Sequence, residues 1–367
     1  MHSSPSLLPR GRKSSTSAKQ PVPALNPKSL ARTSLSIVIT GSFLYLAFRN
    51  ADFPGLWQTM LRADLFWAST LILVGLLSHW VRAVRWRYLL APMKDGIRVR
   101  NLFSAVMIGY AVNNILPRVG ELVRPAVIGR LEGIAGSSAL GTVIIERVLD
   151  FLTFSFMVGV TLSMYPSAID PFVDDPASMQ PLFIAGSVGA TALFILLFLR
   201  LEWFVGFVDR LSSRIPGRFS KKVGSFLRSF RAGLNISHLR HVWGWVVGWS
   251  LLMWGLYALG LYLSFFLFGE VESMNLGFGA AAVLLVVTTI AFALPAPGAM
   301  GTYHSFLPAA LTGLYGVAAT PALGLTIITH ELQFVVIILV GAAFYLTDYR
   351  KIGSLRAPDT TMGGTAP

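Results

Sequence analysis

The sequence predicts an all-α integral membrane protein, and three observations lead to that prediction. Of its 367 residues, 54% are hydrophobic and only 13% are charged, whereas soluble domains carry about 25% charged residues. Long apolar runs recur along the chain, and the basic residues concentrate in the polar stretches between them. This composition excludes a soluble globular protein and an intrinsically disordered one. The absence of cysteine excludes disulfides, thiolate nucleophiles and thiolate metal sites.

The apolar runs predict about six full transmembrane helices plus two re-entrant helical hairpins, because a span needs about 20 apolar residues. The run 102–116 is short and ends in a polar segment that contains Pro117. The runs 276–294 and 304–316 are separated by a segment with two prolines. The runs that are long enough, or nearly so, to span are 34–48, 65–81, 139–165, 181–199, 242–268 and 320–346.

The distribution of charge predicts the orientation in the membrane. Lys and Arg concentrate in the stretches 1–32, 82–100 and 200–241, whereas the loops 166–180 and 269–275 carry acidic residues and no base. Basic loops stay on the cytoplasmic side. We therefore expect both termini in the cytoplasm, in a bacterial cytoplasmic (inner) membrane.

The same rule predicts the two hairpins. A pair of full spans between the basic stretch 82–100 and the acidic loop 166–180 would break the charge rule, so 102–138 enters from the cytoplasm and returns. By the same count, 276–316 enters from outside and returns. Two broken segments, one from each face, are typical of inverted-repeat transporters. An eight-helix bundle with ordinary proline kinks is the alternative, since hydropathy does not distinguish a hairpin from a kinked helix.

The chain divides into three parts by composition. The basic, acid-free composition of residues 1–32 predicts a disordered cytoplasmic tail. An organelle transit peptide has the same kind of composition and is the alternative. Residues 33–347 form the polytopic transmembrane domain, and 348–367 a disordered C-terminal tail. Within the domain, 202–236 is a basic amphipathic cytoplasmic segment, which suits either a helix on an anionic leaflet or a plain basic loop.

The first polar constellation follows the apolar run 102–116. Its paired asparagines can satisfy unwound backbone, and its arginines can hold a phosphate in bidentate fashion. Its glutamate can neutralise the arginines or meet a cation. A cytoplasmic loop that obeys the charge rule is the alternative. The candidate binding residues are Asn113, Asn114, Arg118, Glu121 and Arg124.

The second constellation, Glu146, Arg147 and Asp150, lies inside the run 139–165. Glu146 and Asp150 are four residues apart and share a helix face. Ionisable groups in a span are costly and usually face an interior or a wet path, so we interpret these three as functional. A self-neutralising cluster at the cytoplasmic helix end is the alternative.

Two further constellations occur near the C-terminus. The prolines and glycines of 295–301 break a helix, and the helix that follows would present free N–H groups to an anion. An external loop is the alternative. A glutamate in the last apolar run needs a partner, and a histidine stands directly beside it. A paired polar spot at the outer helix end is the alternative. The candidates are Pro297, Gly298, Gly301, His304, His330 and Glu331.

Several site classes have no signature in this chain. There is no phosphate-binding loop, dinucleotide fingerprint or Ser-His-Asp arrangement, and His330-Glu331 lacks the second histidine of a zinc helix motif. We therefore expect no catalytic residue, metal or cofactor. The basic runs also lack the pattern of nucleic-acid modules, so we expect no nucleic-acid partner.

Three segments in this order along the chain, 113–124, 146–150 and 295–301, resemble the motifs of a known family. It is the lysylphosphatidylglycerol synthase transmembrane region, also described as flippase-like or UPF0104 membrane proteins. The resemblance covers roughly residues 35–347. The chain departs from the family's usual pattern at Ala299, where a second glycine is common.

The resemblance implies a helical membrane protein with re-entrant segments that moves lipids between leaflets. Bifunctional relatives carry a soluble C-terminal domain that transfers lysine to phosphatidylglycerol. Only about 20 polar residues follow Leu346, so we expect no synthase activity. We predict a flippase, a transporter rather than an enzyme, with the membrane and a phospholipid or lipid-linked molecule as partners; homo-oligomerisation stays open. The alternatives are a glycosyltransferase-type membrane transferase and a non-catalytic assembly subunit.

Overall fold

The computed structural model describes residues 38, 40–165, 176–212, 218–234 and 236–353, and within these ranges it contains helices and turns but no strand. The predicted all-α fold class is confirmed. The predicted N-terminal tail and the three aspartates of the acidic loop 166–180 lie outside the described residues. The predicted C-terminal tail begins too early, because helix continues to Gly353.

The helices are numbered in chain order, and α1 covers 40–48. Single 3-10 turns lie at Phe265–Leu267 and Pro297–Ala299. The other helices are α2 (Phe53–Leu61), α3 (Leu65–Leu90), α4 (Val99–Ile115), α5 (Gly120–Glu132), α6 (Gly136–Met164), α7 (Pro176–Ser212), α8 (Arg218–Gly233), α9 (Ile236–Ser264), α10 (Gly269–Glu272), α11 (Phe278–Ala293), α12 (Thr302–Tyr315) and α13 (Ala319–Gly353).

Among the described residues, three helical segments are both long and apolar enough to cross a membrane, namely Leu65–Leu90, His241–Leu267 and Ala319–Gly353. Helix α6 has 29 residues and α7 has 37, so each exceeds the ~30 Å hydrocarbon core at 1.5 Å per residue. Helix α6 carries three charged side chains, Glu146, Arg147 and Asp150. Those side chains belong to the candidate site.

The predicted hairpins correspond to two pairs of short helices, α4/α5 and α11/α12. These helices have 17, 13, 16 and 14 residues, which makes each about 20–26 Å long. None is long enough to cross a ~30 Å hydrocarbon core alone. Backbone outside the α-helices joins the two members of each pair, at 116–119 (the first break) and at 294–301 (the second break, which contains the single 3-10 turn Pro297–Ala299).

The two hairpins enter from opposite ends of the bundle, and helix α13 shows this. The open end of the first hairpin lies at the C-terminal end of α13, where Arg100 pairs with Asp348 at 2.5 Å. The open end of the second hairpin lies at the N-terminal end of α13, because α12 ends at Tyr315 and α13 begins at Ala319. This opposition matches the predicted entry from both membrane faces; an internal repeat stays a prediction.

The broken tips of the two hairpins meet beside the middle of α13. The guanidinium of Arg118, in the first break, donates to the carbonyl of Ala293 at 2.8 Å. Asn114 donates to the carbonyl of Phe334 on α13 at 3.3 Å. In the second break, the carbonyl of Gly298 contacts His330 of α13 at 2.8 Å. Polar groups from both breaks are thus placed halfway along a 35-residue helix.

The open end of the first hairpin is anchored by Glu132, the last residue of α5. Its carboxylate accepts from Lys94 and from Asn101, both at 2.7 Å, and from the backbone N–H of Arg98 at 3.2 Å. Burial alone would raise the pKa of Glu132, but these hydrogen bonds, with the charge of Lys94, hold it below its ordinary value. The ionised carboxylate therefore ties α5 to the loop that precedes α4.

The predicted segment 202–236 divides into two helices in the structure. Helix α7 continues to Ser212, and α8 packs against the N-terminal part of α6. Ser138 of α6 donates to the carbonyl of Ser229 at 2.8 Å. A side-chain carbon on Gly141 would lie 2.5 Å from the carbonyl oxygen of Phe230. Helix α8 is thus held against α6, and its contact with a leaflet stays a prediction.

Close contact between α4 and α5 requires the absence of a side chain at Gly120. A carbon added there would collide with the carbonyl of Gly109 on α4, and Asn113 accepts from the N–H of Gly120 at 2.7 Å. We expect Gly120→Ala to lower the free energy of unfolding by about 1–3 kcal/mol through overpacking. Thermal unfolding in detergent measures this loss. Gly313→Ala, where a new carbon meets nothing within 4 Å, is the matched control; equal melting temperatures for the two variants would contradict the packing.

Candidate functional site

Seven charged side chains from three helices meet next to the first break. We call them the arginine–carboxylate cluster. Two of its arginines come from the last turns of α3, one arginine and one glutamate from α5, and the other three residues from α6. Its members are Arg82, Arg85, Glu121, Arg124, Glu146, Arg147 and Asp150.

Glu146 lies at the centre of the cluster and is 0% exposed. One carboxylate oxygen accepts from Arg85 at 3.3 Å, and the other pairs with Arg124. Both arginines are themselves buried. Removing one partner of a buried ion pair leaves the other charge uncompensated, which is strongly unfavourable. Glu146 therefore links α3, α5 and α6 in one electrostatic unit.

Asp150, one turn further along α6, holds the other arginines. Its oxygens lie 3.0 Å from Arg82, 2.8 Å from Arg85 and 3.0 Å from Arg147. Arg82 also donates to the hydroxyl of Tyr257 on α9 at 3.1 Å. Glu146 and Asp150 thus share one helix face, as their spacing predicts, and that face points at arginines rather than at solvent.

One edge of the cluster is accessible. The side chain of Arg147 is 40% exposed and that of Glu121 is 41% exposed, and 3.8 Å separates their charged atoms. Exposed pairs at this distance contribute little to stability. Arg147 is therefore free to exchange Glu121 for another anion at little cost.

Positive charge exceeds negative charge in the cluster. Four arginines face three carboxylates, one of which is the half-exposed Glu121. The buried Nε atom of each of these four arginines has no hydrogen-bond partner within the described residues. Arg124 also stacks on Trp86, with 3.9 Å between its guanidinium carbon and the ring centroid. The cluster therefore carries a net positive charge, which favours an anion at its accessible edge.

A second set of side chains, the histidine–glutamate group, consists of His304, His330 and Glu331. His304 lies in the first turn of α12, and the other two are consecutive residues of α13. Glu331 Oε1 lies 3.4 Å from His304 Nε2 and 3.2 Å from His330 Nδ1. The two imidazoles are buried and the glutamate is 36% exposed.

The remaining candidate residues frame the junction of the two breaks. Asn113 and Asn114 make the backbone contacts described above, and Arg118 adopts a positive φ of 63°. Arg118 and Arg124 do not converge, because Arg118 turns to the second hairpin while Arg124 pairs with Glu146. The predicted shared grip of these two arginines on a phosphate is therefore not what the structure shows.

The glycines of the second break adopt backbone conformations that allow tight turns, as predicted. Gly298 and Gly301 have φ values of 54° and 83°, which disfavour any other residue. A side-chain carbon on Gly298 would lie 2.8 Å from Phe334 and one on Gly301 2.6 Å from the carbonyl of Thr40. Pro297 opens the single turn between them. Binding of an anion by the N-terminus of α12 stays a prediction.

Arg82 and Arg85 are not among the site residues predicted from the sequence, because the charge pattern places them in the loop stretch 82–100. The structure corrects this, because α3 continues to Leu90 and both arginines are buried. A signal was present: the apolar residues Val81, Val84 and Trp86 continue the helical pattern past residue 81. Basic residues that lie within such an apolar helical pattern belong to the helix rather than to the loop that follows it.

The family model described as "Lysylphosphatidylglycerol synthase TM region" matches residues 33–341. The chain belongs to this family. A UPF0104 membrane protein of Methanothermobacter thermautotrophicus is 24% identical over 305 residues, which cover 79% of this chain and 88% of the relative. A second UPF0104 membrane protein, from Methanocaldococcus jannaschii, is 22% identical over 130 residues, 35% of this chain and 39% of its own. The predicted resemblance is confirmed.

A third relative has a different name. The protein called glycosyltransferase AglD in Haloferax volcanii is 23% identical over 313 residues, which cover 78% of this chain but 49% of the relative. This chain thus spans about half the length of that protein. No solved structure matches the chain.

The cluster predicts a specific order of stability effects. We expect Glu146→Gln to lower the free energy of unfolding by about 3–5 kcal/mol, because it leaves Arg124 buried without a counter-charge and leaves Arg85 with Asp150 alone. Glu121→Gln, at the exposed edge, should cost at most about 1 kcal/mol. Chemical unfolding in mixed micelles measures both. Equal losses for the two variants would contradict a cluster centred on Glu146.

Proposed function

We propose that this membrane protein moves an anionic phospholipid, or a lipid-linked phosphate, between the two leaflets. The observation that supports the proposal best is the surplus of arginine in the arginine–carboxylate cluster, beside the junction of two hairpins that enter from opposite ends. Membership of the family is established; the transport role is our inference.

The cluster suits a phosphate because arginine binds phosphate oxygens in a bidentate manner. Arg147 and Glu121 are the accessible members. A phosphate that reaches Arg147 would replace the weak 3.8 Å contact with Glu121. Glu146 and Asp150 then keep the remaining arginines in place, so the protein does not reorganise when the anion arrives. The acyl chains would stay in the bilayer while the headgroup crosses.

The hairpins suit transport because non-helical backbone at membrane depth is tolerated where it is covered by protein or lines a wet cavity. Both breaks contact α13 near its middle. A headgroup arriving from one face would meet the tip of one hairpin, and a headgroup leaving to the other face would pass the tip of the other. The proposal has two versions. Transport is driven by a proton or ion gradient that acts through the carboxylates, or the lipid is scrambled passively.

We also propose a cytoplasmic membrane, with the open end of the first hairpin on the cytoplasmic side. Lys94, Arg98 and Arg100 lie at that end together with the C-terminal end of α13. Positive loops favour the cytoplasm. The relatives described above are archaeal, so the proposal covers an archaeal membrane as well as the bacterial one that we expected.

The second candidate function is a membrane transferase that acts on a lipid-linked substrate. The similarity to a protein named glycosyltransferase favours it. In this case the arginine–carboxylate cluster would hold the lipid phosphate while another protein or domain supplies the donor. Product formation from labelled lipid and sugar donor, without translocation, would favour this function. A stable protein partner on purification, with inert cluster variants, would instead favour an assembly subunit.

Translocation of fluorescent phosphatidylglycerol in proteoliposomes tests the leading proposal. We expect Arg147→Gln to lower the rate about 10- to 100-fold, because a charge-assisted hydrogen bond is worth about 1.5–3 kcal/mol. Phosphatidylcholine, which carries no net charge, should move more slowly than phosphatidylglycerol in the wild type. Dithionite quenching of the outer leaflet measures the rate.

The control is Arg62→Gln, which removes an exposed arginine at the end of α2. It should leave the rate unchanged. If Arg147→Gln and Arg62→Gln transport phosphatidylglycerol equally well, the arginine–carboxylate cluster is not the headgroup site.

A further inference from the structure

The histidine–glutamate group lies at the second break, away from the arginines that the transport proposal uses. Each of the three residues offers one ligand atom, and these atoms all lie within 4.8 Å of one another. Glu331 Oε1 faces His304 Nε2 on one side and His330 Nδ1 on the other. We propose that these three side chains form a binding site for a single divalent transition-metal ion, with Zn²⁺ as the best match. This inference does not depend on the transport proposal.

The distances fit a shared ion. Zinc bonds of about 2.0–2.2 Å in a tetrahedral site place neighbouring ligand atoms about 3.4 Å apart. Glu331 Oε1 lies 3.4 Å from His304 Nε2 and 3.2 Å from His330 Nδ1, and both distances are close to this ligand spacing. Two imidazoles and one carboxylate are also a ligand set that zinc uses when a fourth position is left open.

The tautomer of His330 provides an independent argument. Its Nε2 lies 2.8 Å from the carbonyl oxygen of Gly298, which can only accept, so Nε2 carries a proton. In the neutral ring Nδ1 therefore presents a lone pair, and it faces a carboxylate oxygen at 3.2 Å. Two acceptors at this distance need either a proton or a metal ion between them. Histidines that bind metals commonly donate their other N–H to a backbone carbonyl in this way.

The environment favours one divalent ion over two protonated rings. His304 and His330 are both buried, and their ring centroids lie 4.9 Å apart. Two imidazolium ions so close together would repel each other, and one carboxylate would not balance both. A divalent ion leaves both rings neutral. The mixed nitrogen and oxygen set suits zinc rather than magnesium or calcium, which prefer oxygen ligands.

The site is held in place and has an entry route. Aromatic rings surround the histidines: Phe292 and Phe334 lie 6.2 Å from His330 by ring centroids, and Tyr303 lies 5.0 Å from it. Glu331 is 36% exposed, so an ion and its fourth ligand, a water, can reach the group from that side. A bound ion would fix α12 to α13 at the break, where the second hairpin meets the first.

Zinc binding to the purified protein tests the proposal. Tag-free protein in detergent is treated with EDTA, dialysed and titrated with ZnCl₂ by calorimetry. We expect one Zn²⁺ per chain. His304→Gln and Glu331→Gln should each weaken binding at least about 100-fold, because even the loss of a second-shell partner costs 10- to 100-fold. His241→Gln, which changes an exposed histidine of α9, should leave binding unchanged.

Co²⁺ titration gives a second readout that needs no variant. A tetrahedral site should produce the strong visible absorption of four-coordinate Co²⁺, and Zn²⁺ should displace it. Zinc should also raise the melting temperature of the wild type but not of Glu331→Gln. Zinc affinities that are equal in the wild type and His304→Gln, or Co²⁺ spectra of the six-coordinate hydrated ion, would overturn the proposal. A group that is bridged by a proton instead would give these negative results.

Discussion

The structure depends on the cost of burying the carboxylate of Glu146 inside a transmembrane protein. A charge with 0% exposure persists only if opposite charges reach it. Arg85 must come from α3 and Arg124 from α5, which forces the first hairpin to fold back against the bundle. Asp150 adds Arg82 and Arg147 in the same way. The ionic contacts therefore explain how the short helices of the first hairpin are held against the longer helices α3 and α6.

A second constraint is backbone polarity. Non-helical backbone within a membrane must find internal partners. The two breaks satisfy much of this need through each other and through α13, by the contacts of Arg118 with Ala293 and of Gly298 with His330. The long, apolar α13 thus acts as the common support of both hairpins. This geometry places two chemically distinct groups near one junction: an arginine-rich cluster beside the first hairpin and the histidine–glutamate group between the second hairpin and α13.

Much of this architecture follows from the sequence. Hydrophobic periodicity, proline position and loop charge predict the fold class and the two hairpins. The free-energy cost of placing ionisable side chains in a membrane span identifies Glu146 and Asp150 as candidate site residues. The arginines of α3 escaped prediction because Arg82 and Arg85 precede a truly basic loop and share its composition. The contact between His304 and His330 could not be predicted from the sequence. It arises from tertiary packing between residues 26 positions apart, which no local pattern encodes.

We propose that the arginine–carboxylate cluster receives a lipid phosphate at the depth where the hairpins meet. A cryo-EM structure in nanodiscs of phosphatidylglycerol tests it most directly. We expect headgroup density within hydrogen-bonding distance of Arg147, with both hairpin tips inside the hydrocarbon layer. Lipid phosphates confined to the two membrane surfaces, with Arg147 contacting only Asp150 and Glu121, would contradict it.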